Sequence, residues 1–202
     1  LFRQAPRGTQ IHFDDHDGVL IASEIGFMPG KLHDNAPYGK FALGGWAYTS
    51  RFDDVFDTDA SGNAVRRDGN FGIYGFGEYT IYRERDPTQG LALFSRLGYA
   101  NPDLNQINYY LGAGVTYTGL IPCRDKDRFG LALASIFNGE KFRKANAGNS
   151  VEKTEINLEL TYRAVLAPWL ALQPDFQFII NPGTEARLEN AFLAGVRWEL
   201  SL

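Results

Sequence analysis

Long stretches of strictly alternating apolar and polar residues are the feature of this chain that most limits its fold. In the last stretch, NAFLAGVRWELSL, one set of alternate positions is apolar and the other becomes polar toward its end. The apolar set is Phe192, Ala194, Val196, Trp198, Leu200 and Leu202. Because successive side chains of a β-strand point to opposite faces, this pattern predicts a strand with one apolar and one polar face.

The stretch 152–166 shows the same alternation most clearly. Its apolar positions alternate with a run of polar ones at Glu155, Asn157, Glu159, Thr161 and Arg163. An edge strand packed on a core would not carry so many consecutive polar positions on one face. The pattern therefore predicts a face that borders water and an opposite face that borders an apolar medium.

Nine such stretches are present, and none of the chain shows the apolar periodicity of a helix. The predicted strands cover 18–27, 38–50, 70–84, 90–100, 106–120, 127–137, 152–166, 169–180 and 190–202. All of them are longer than the 5–6 residues typical of globular strands, and they reach the 9–11 residues that a tilted membrane-spanning strand needs. We therefore predict an all-β fold, a transmembrane antiparallel up-and-down β-barrel.

The links between the strands support this architecture. Long polar loops are predicted at 51–69, 139–151 and 181–189, and shorter turns at 85–89, 121–126 and 167–168. The brief link 101–105 and the longer link 29–37 depart from the alternation. Outer-membrane barrels have short periplasmic turns and longer extracellular loops, so we expect the end of the last strand on the periplasmic side.

The composition excludes several classes of protein. With 20 basic and 24 acidic residues, the chain has no polyanion-binding excess, so nucleic acid is not an expected partner. A single cysteine, Cys123, excludes an internal disulfide framework. The mean hydropathy of −0.26 fits a barrel as well as a soluble protein, since half of each barrel strand faces water. The start, LFRQAPRGTQ, lacks the pattern of a signal peptide.

An odd number of strands raises the question of closure, because an open sheet edge cannot face lipid. Bacterial single-chain barrels close with an even number of strands. We expect residues 1–202 to form one barrel domain that is the C-terminal part of a larger barrel. The missing N-terminal half of the same barrel, or a second chain, would supply the other strands. The alternative is a miscount at 17–28 that leaves eight strands.

The polar positions predict what the barrel could conduct. Acidic and basic residues are equally frequent on the predicted water-facing side, so no ring of one sign is expected there. These charged residues are Glu24, Lys40, Glu78, Arg96, Arg128, Lys153, Glu155, Glu159, Arg163, Asp175, Arg197 and Glu199. A polar but balanced wall suits a neutral, hydroxyl-rich solute. Each charged residue could instead pair with a neighbour and stiffen the wall.

Several segments resemble the OprB-type carbohydrate-selective porins of the Gram-negative outer membrane. They are KFALGGWAYTSRFDD, GIYGFGEYTIYRE, GLALFSRLGYANPDLN, GAGVTYTGLIPCRDKDRFGLALA and EINLELTYRAVLAPWLALQPDFQFIINPG. In that family these motifs lie in the C-terminal part of a longer chain. Two departures are Cys123, where a glycine is expected in the turn, and Leu202, where many outer-membrane proteins end in Phe.

The resemblance implies a porin of about 16 strands that takes up glucose-like sugars by passive diffusion across the outer membrane. Its expected partners are small carbohydrates and outer-membrane lipid, and a homotrimer is the expected assembly. No cofactor or metal is expected. The residues expected to line the lumen are Trp46, Glu78, Arg96, Glu155, Glu159, Arg163, Asp175, Gln177 and Arg197. They are predicted as residues of the channel wall before they are predicted as a sugar-binding site, because the narrowest constriction could lie in the missing part or in an infolded loop.

Enzymatic readings find little support in the residues. Glu155 and Glu159, four apart on one strand, are separated by about 13 Å, too far for the carboxylate pair of a glycosidase. His12, His16 and His33 lie in polar loops without a ligand set. Two other classes stay open: a small outer-membrane barrel with a filled interior that acts as an anchor or adhesin, and a soluble β-sandwich that binds sugar.

Overall fold

The computed structural model describes residues 18–29 and 38–201. The three histidines and Leu202 lie outside these residues. The described chain contains nine β-strands: β1 (Leu20–Phe27), β2 (Gly39–Thr58), β3 (Ala64–Arg83), β4 (Gly90–Ala100), β5 (Ile107–Thr118), β6 (Arg128–Asn138), β7 (Thr154–Ala167), β8 (Leu170–Ile180) and β9 (Ala191–Leu200). The eight-strand alternative is wrong, because the stretch 18–27 contains β1.

Every strand pairs antiparallel with the next one in the chain, and together they form a single sheet. The order β1 to β9 leaves β1 and β9 as the two edges of this sheet within the described residues. A β-sandwich needs a second sheet to cover its apolar residues. The described residues provide none, so the structure does not have the sandwich architecture.

The register assigns one face of the sheet to apolar residues, here called the apolar face. Directly opposite residues share a face, as in Leu131↔Leu160, Leu133↔Leu158 and Phe176↔Ala194. Leu158, Leu160 and Phe176 are 41%, 42% and 43% exposed, and Val196 is 68% exposed. Large hydrophobic side chains are therefore displayed on the surface of the sheet and are not packed in a core.

Aromatic residues of the apolar face collect near both ends of the strands. Tyr99 and Tyr109 lie opposite each other with ring centroids 5.2 Å apart, and Phe71 follows at 6.4 Å from Tyr99. Near the other end, the Tyr82 and Tyr117 centroids are 6.5 Å apart. Two aromatic bands that flank an apolar band are typical of barrels whose outer surface contacts lipid at both interfaces.

The predicted loop at 51–69 is wrong. Strands β2 and β3 each run for 20 residues and are joined by the link 59–63. In this extension, Arg51 lies opposite Asp68 and Asp53 opposite Arg66, with ion pairs of 2.6 and 3.6 Å. Opposite charges across a strand pair stabilise a hairpin in water. The extension lacks apolar alternation because it lies beyond the apolar band.

The prediction that the chain has no helix is also wrong, because two short helical segments are present. The helix α1 (Glu140–Ala145) and a 3-10 turn (Pro182–Thr184) occupy two of the predicted long loops. Six residues are too few for an apolar periodicity to be visible in the sequence, although Glu140 and Lys144 form an i,i+4 ion pair of 2.7 Å. Among the described residues, we find no helix with the length and apolar character required to traverse a bilayer.

The strand ends define two rims. The upper rim contains the links 59–63, 101–106, 139–153 and 181–190, and the lower rim contains residues 28, 29 and 38 and the links 84–89, 119–127 and 168–169. The upper rim thus carries the extended hairpin and both helical segments. The long links 139–153 and 181–190 agree with the predicted asymmetry, although the link 59–63 itself is short.

Candidate functional site

The face opposite the apolar one, here called the polar face, carries all nine residues expected to line a lumen. The register distributes them over strands: Trp46 on β2, Glu78 on β3, Arg96 on β4, Glu155, Glu159 and Arg163 on β7, Asp175 and Gln177 on β8, and Arg197 on β9. Residues of one strand, such as Glu155, Glu159 and Arg163, lie an even number of positions apart, so they point to the same face. Residues directly opposite each other on neighbouring strands also share a face, as Glu159 and Gln177 do.

The register brings some of them together and keeps others apart. Glu159 lies directly opposite Gln177, whereas Glu78 lies opposite Phe94 and belongs to a strand four positions away from that of Glu159 in the sheet. Arg96 lies between Phe76 and Gly112. Glu155 accepts a hydrogen bond of 2.5 Å from the N–H of Gly183, so its side chain is held by the upper rim.

On strands β7 to β9, several polar side chains bond to one another. The Arg163 guanidinium donates to Glu199 at 2.7 Å, across β8. Ala171 lies opposite Glu199 on β8 and is only 5% exposed, so its small side chain leaves room for that ion pair. Gln173 donates to the Thr161 hydroxyl at 2.8 Å.

The amides of this stretch continue the chain of contacts. Asn157 donates to Gln177 at 3.0 Å, and Gln177 donates to Asp175 at 2.8 Å. The hydroxyl of Thr161 also donates to the carbonyl of Pro174 at 3.1 Å. These groups thus use much of their hydrogen-bonding capacity within the wall, which orients their side chains along it.

On strands β2 to β5, aromatic rings take the place of charged pairs. The ring of Trp46 lies over Gly72, where an added Cβ would come within 2.6 Å of it. Tyr74 lies over Gly44 in the same way and donates a hydrogen bond of 2.8 Å to Glu24. Glycine is needed at both positions because any side chain would displace the ring that covers it.

The register between strands also groups charges of one sign, although acidic and basic residues are equally frequent on the predicted water-facing side. Arg128 lies directly opposite Arg163, and Arg197 lies opposite Gln173. Arg163 and Gln173 continue the pairing set by Thr161↔Asp175, so three arginines share one row near the lower rim. Spacing along the chain does not reveal this row, since its members lie on three different strands.

The upper rim is held by an ion cluster that the sequence did not predict. Asp54, whose side chain is fully buried, accepts from Arg67 at 2.5 Å and from Lys141 at 2.8 Å. Lys141 also contacts Asp57 at 2.6 Å and Asp103 at 2.9 Å. The cluster joins the extended hairpin, the link 101–106 and helix α1 into one structure.

The charges of this cluster stabilise each other. Burial alone would lower the pKa of Lys141, but its hydrogen bonds to Asp54, Asp57 and Asp103 outweigh burial and raise that pKa above its ordinary value. Burial alone would raise the pKa of Asp54, in the hairpin extension. Hydrogen bonds from Lys141, Arg67 and two backbone N–H groups hold that pKa well below its ordinary range.

The lower rim has its own buried carboxylate, Asp127. It accepts from Arg124 at 2.6 Å, from the Tyr162 hydroxyl at 2.6 Å and from the Val165 N–H at 2.8 Å. Burial would raise the pKa of Asp127, but these hydrogen bonds outweigh it and lower the pKa. The link 119–127 is thereby fixed to β7.

Within the described ranges, no group of three or more His, Cys, Asp or Glu side chains is arranged to hold a metal ion. The exposed Cys123 lies in the link 119–127 with a φ of 66°. Glycine adopts this left-handed conformation most readily, which gives a physical reason for the glycine expected at this turn.

A nine-stranded antiparallel sheet with an exposed apolar face, two aromatic bands and a polar face is the wall of a porin-like membrane barrel. The comparisons with known proteins agree with this class. The family model described as "Carbohydrate-selective porin, OprB family" matches residues 3–202, and the chain belongs to this family. The family resemblance and the fold class predicted from the sequence are both confirmed, and membership of a family of channels supports the prediction that the chain is not an enzyme.

Individual relatives give the share of a porin's length that this chain covers. Porin B of Pseudomonas aeruginosa is 29% identical over 97% of this chain and 46% of that protein. The high-pH structure of Pseudomonas putida OprB superposes with a TM-score of 0.83 and 26% identity, covering 92% of this chain and 49% of that one. The low-pH structure gives a TM-score of 0.62 at 22% identity, covering 94% and 48%. The chain spans about half the length of these relatives.

Proposed function

We propose that the protein is an outer-membrane porin of a Gram-negative bacterium that lets neutral sugars such as glucose diffuse passively through its barrel. The observation that carries this proposal is the division of one continuous sheet into an exposed apolar face and a polar face. Acyl chains would cover the first, and water and solute would contact the second.

The described residues form about half of the proposed channel wall. The edges β1 and β9 carry backbone groups that have no partner strand beyond them within the described residues. Such groups cannot face hydrocarbon, so further strands must pair with both edges. We propose that an N-terminal half of the same protein supplies them and completes a barrel of about 16 strands, wide enough for a water-filled channel.

The chemistry of the polar face supports a neutral, hydroxyl-rich solute. It offers carboxylates, guanidinium groups, amides and hydroxyls, and its aromatic rings near β2 and β3 present faces on which a sugar ring can stack. Arginines share the row of Arg128, Arg163 and Arg197, and carboxylates lie in other rows at Glu159 and Asp175, so a solute of either sign would meet repulsion within the channel. The nine residues named above are proposed as wall residues that contact the sugar, and assembly as a homotrimer stays a prediction.

The test is to reconstitute the full-length protein in planar bilayers and in liposomes. We expect stepwise ion conductance in the bilayers and faster liposome swelling in isotonic glucose than in isotonic gluconate. A membrane protein that inserts but conducts no ions would overturn the channel and favour the filled barrel that serves as an anchor. Conductance with equal swelling rates for glucose and gluconate would overturn the selectivity for neutral sugars.

A further inference from the structure

A second feature of the polar face is a cavity near the lower rim, with a volume of about 360 Å³. Its walls include Glu78 and Thr80 on β3, Thr116 and Thr118 on β5, and Arg128 on β6. The links 84–89 and 119–127 contribute its lower boundary. Small-molecule sites in proteins span roughly 300–1,000 Å³, so this cavity lies at the small end of that range.

The cavity exists because the strand in its centre carries very small side chains. On β4, Ala92 lies between Thr80 and Thr116, and Gly90 lies opposite Thr118. The side chains of the flanking strands β3 and β5 therefore project beyond β4, whose backbone and Ala92 methyl group form the bottom of the cavity. Neighbouring strands lie about 4.8 Å apart, so Thr80 and Thr116 face each other across about 10 Å.

The polar groups around this floor have unused hydrogen-bonding capacity. Glu78, Thr80, Thr116, Thr118 and Arg128 make no side-chain hydrogen bond and no ion pair with any other described residue. This differs from Thr161, which shares a row with Thr116 but already bonds to Gln173 and Pro174. Three hydroxyls that both donate and accept, one acceptor carboxylate and one donor guanidinium thus converge on one small space.

The charges of the cavity are nearly balanced. Glu78 and Asp125 are opposed by Arg83, Lys126 and Arg128. A site with mixed signs and several hydroxyls matches a ligand whose own groups both donate and accept, which describes the hydroxyls of a sugar. A phosphate or carboxylate ligand would meet the two acids, and a cation would meet the three bases.

We propose that this cavity is a binding subsite for one neutral sugar ring, in which Thr116, Thr118, Glu78 and Arg128 hydrogen-bond to its hydroxyls. The subsite rests on the proposed function, because a sugar reaches it only through the channel. It adds to that function a defined place near the lower rim where a permeating sugar is held.

The test uses the full-length porin in liposomes, with Cys123→Ser as the background. Thr118→Cys places a thiol in the cavity, and Gln173→Cys places one in the same row outside it. A small water-soluble thiol reagent is added with and without glucose. We expect glucose to slow modification of the Thr118→Cys thiol several-fold and to leave the Gln173→Cys thiol unchanged.

A second measurement uses the double variant Thr116→Val, Thr118→Val, which removes two hydroxyls and keeps the side-chain shape. We expect glucose affinity, measured from sugar-induced current noise, to fall about tenfold while ion conductance is retained. Glucose uptake by the wild type with equal protection of both thiols, or unchanged affinity in the double variant, would overturn the subsite alone. A wild type that takes up no glucose would overturn the proposed function, and the subsite with it.

Discussion

Two stretches of the polar face, on β7 to β9 and on β3 to β6, use similar residues in opposite ways. In the first, Arg163, Gln173 and Gln177 donate to neighbours on the wall. In the second, Thr116 and Arg128 line a cavity and have no side-chain partner among the described residues. Polar groups that bond within the wall stiffen it, whereas groups left unbonded can exchange water for a solute.

Both stretches should border water, and the alternate positions of the same strands should border lipid. Leu131 and Ala132 on β6 are neighbours on opposite faces, so they test this directly. We expect Leu131→Arg to lower the free energy of unfolding by about 2–4 kcal/mol in a bilayer, because it would place a charge in the hydrocarbon.

The matched variant Ala132→Arg should change the free energy of unfolding by less than about 1 kcal/mol, because its side chain reaches water. Urea titration of the full-length protein folded into lipid vesicles measures both values. Equal costs at the two positions would contradict the assignment of the faces.

Charged groups also bond to each other at the upper rim, where the next largest effect is expected. Asp54→Asn should destabilise the hairpin extension by about 2 kcal/mol, because hydrogen bonds between charged groups are lost from a buried site. Asp53, one residue away and 70% exposed at its side chain, provides the control. We expect limited proteolysis to cleave the extension faster in Asp54→Asn and at the wild-type rate in Asp53→Asn.

The same carboxylates predict a dependence on pH. The pKa values of Asp54 and Asp127 are lowered by folding, so their contribution to stability is full above the unfolded pKa and is lost as the pH falls through the folded one. The pKa of Lys141 is raised, so its contribution is lost only at strongly alkaline pH. We expect protease resistance of both rims to be constant between about pH 5 and 9 and to fall below about pH 4. A loss of resistance near pH 7 would contradict this.

The same substitution, Thr→Val, should lower the stability in one stretch and leave it nearly unchanged in the other. Thr161→Val removes a hydroxyl that bonds to Gln173 and to the carbonyl of Pro174, and it should cost about 1 kcal/mol of unfolding free energy. Thr116→Val, in the same row, breaks no bond within the protein and should stay within about 0.5 kcal/mol of the wild type. Urea titration of both variants decides whether the wall and the cavity differ as proposed.

The smallest effect concerns the link below the cavity. Cys123 has a φ of 66°, a left-handed conformation that costs a non-glycine residue about 1 kcal/mol. Cys123→Gly should therefore stabilise the protein by up to about 1 kcal/mol, reduced by the greater entropy of glycine in the unfolded chain. Differential scanning calorimetry of the full-length protein measures this gain, and a decrease in melting temperature would contradict it.

Alternation along the chain was enough to predict the nine strands, their order and the division of residues between two faces. This works because successive side chains of a strand point to opposite faces, so the face of each residue can be read from its position relative to its neighbours in the chain. The extension of β2 and β3 was missed because both faces of that hairpin border water, where alternation disappears. Opposite charges at Arg51 and Asp68 and at Asp53 and Arg66 were the signal that could have revealed it.

The sequence alone therefore determined the class of fold and which residues share the polar face, because both follow from a period of two. Only the tertiary structure decided which of those residues meet: the row of Arg128, Arg163 and Arg197, the cluster around Asp54, and the cavity between Glu78 and Arg128. These depend on the register between strands, and register is set by contacts between residues distant in the chain.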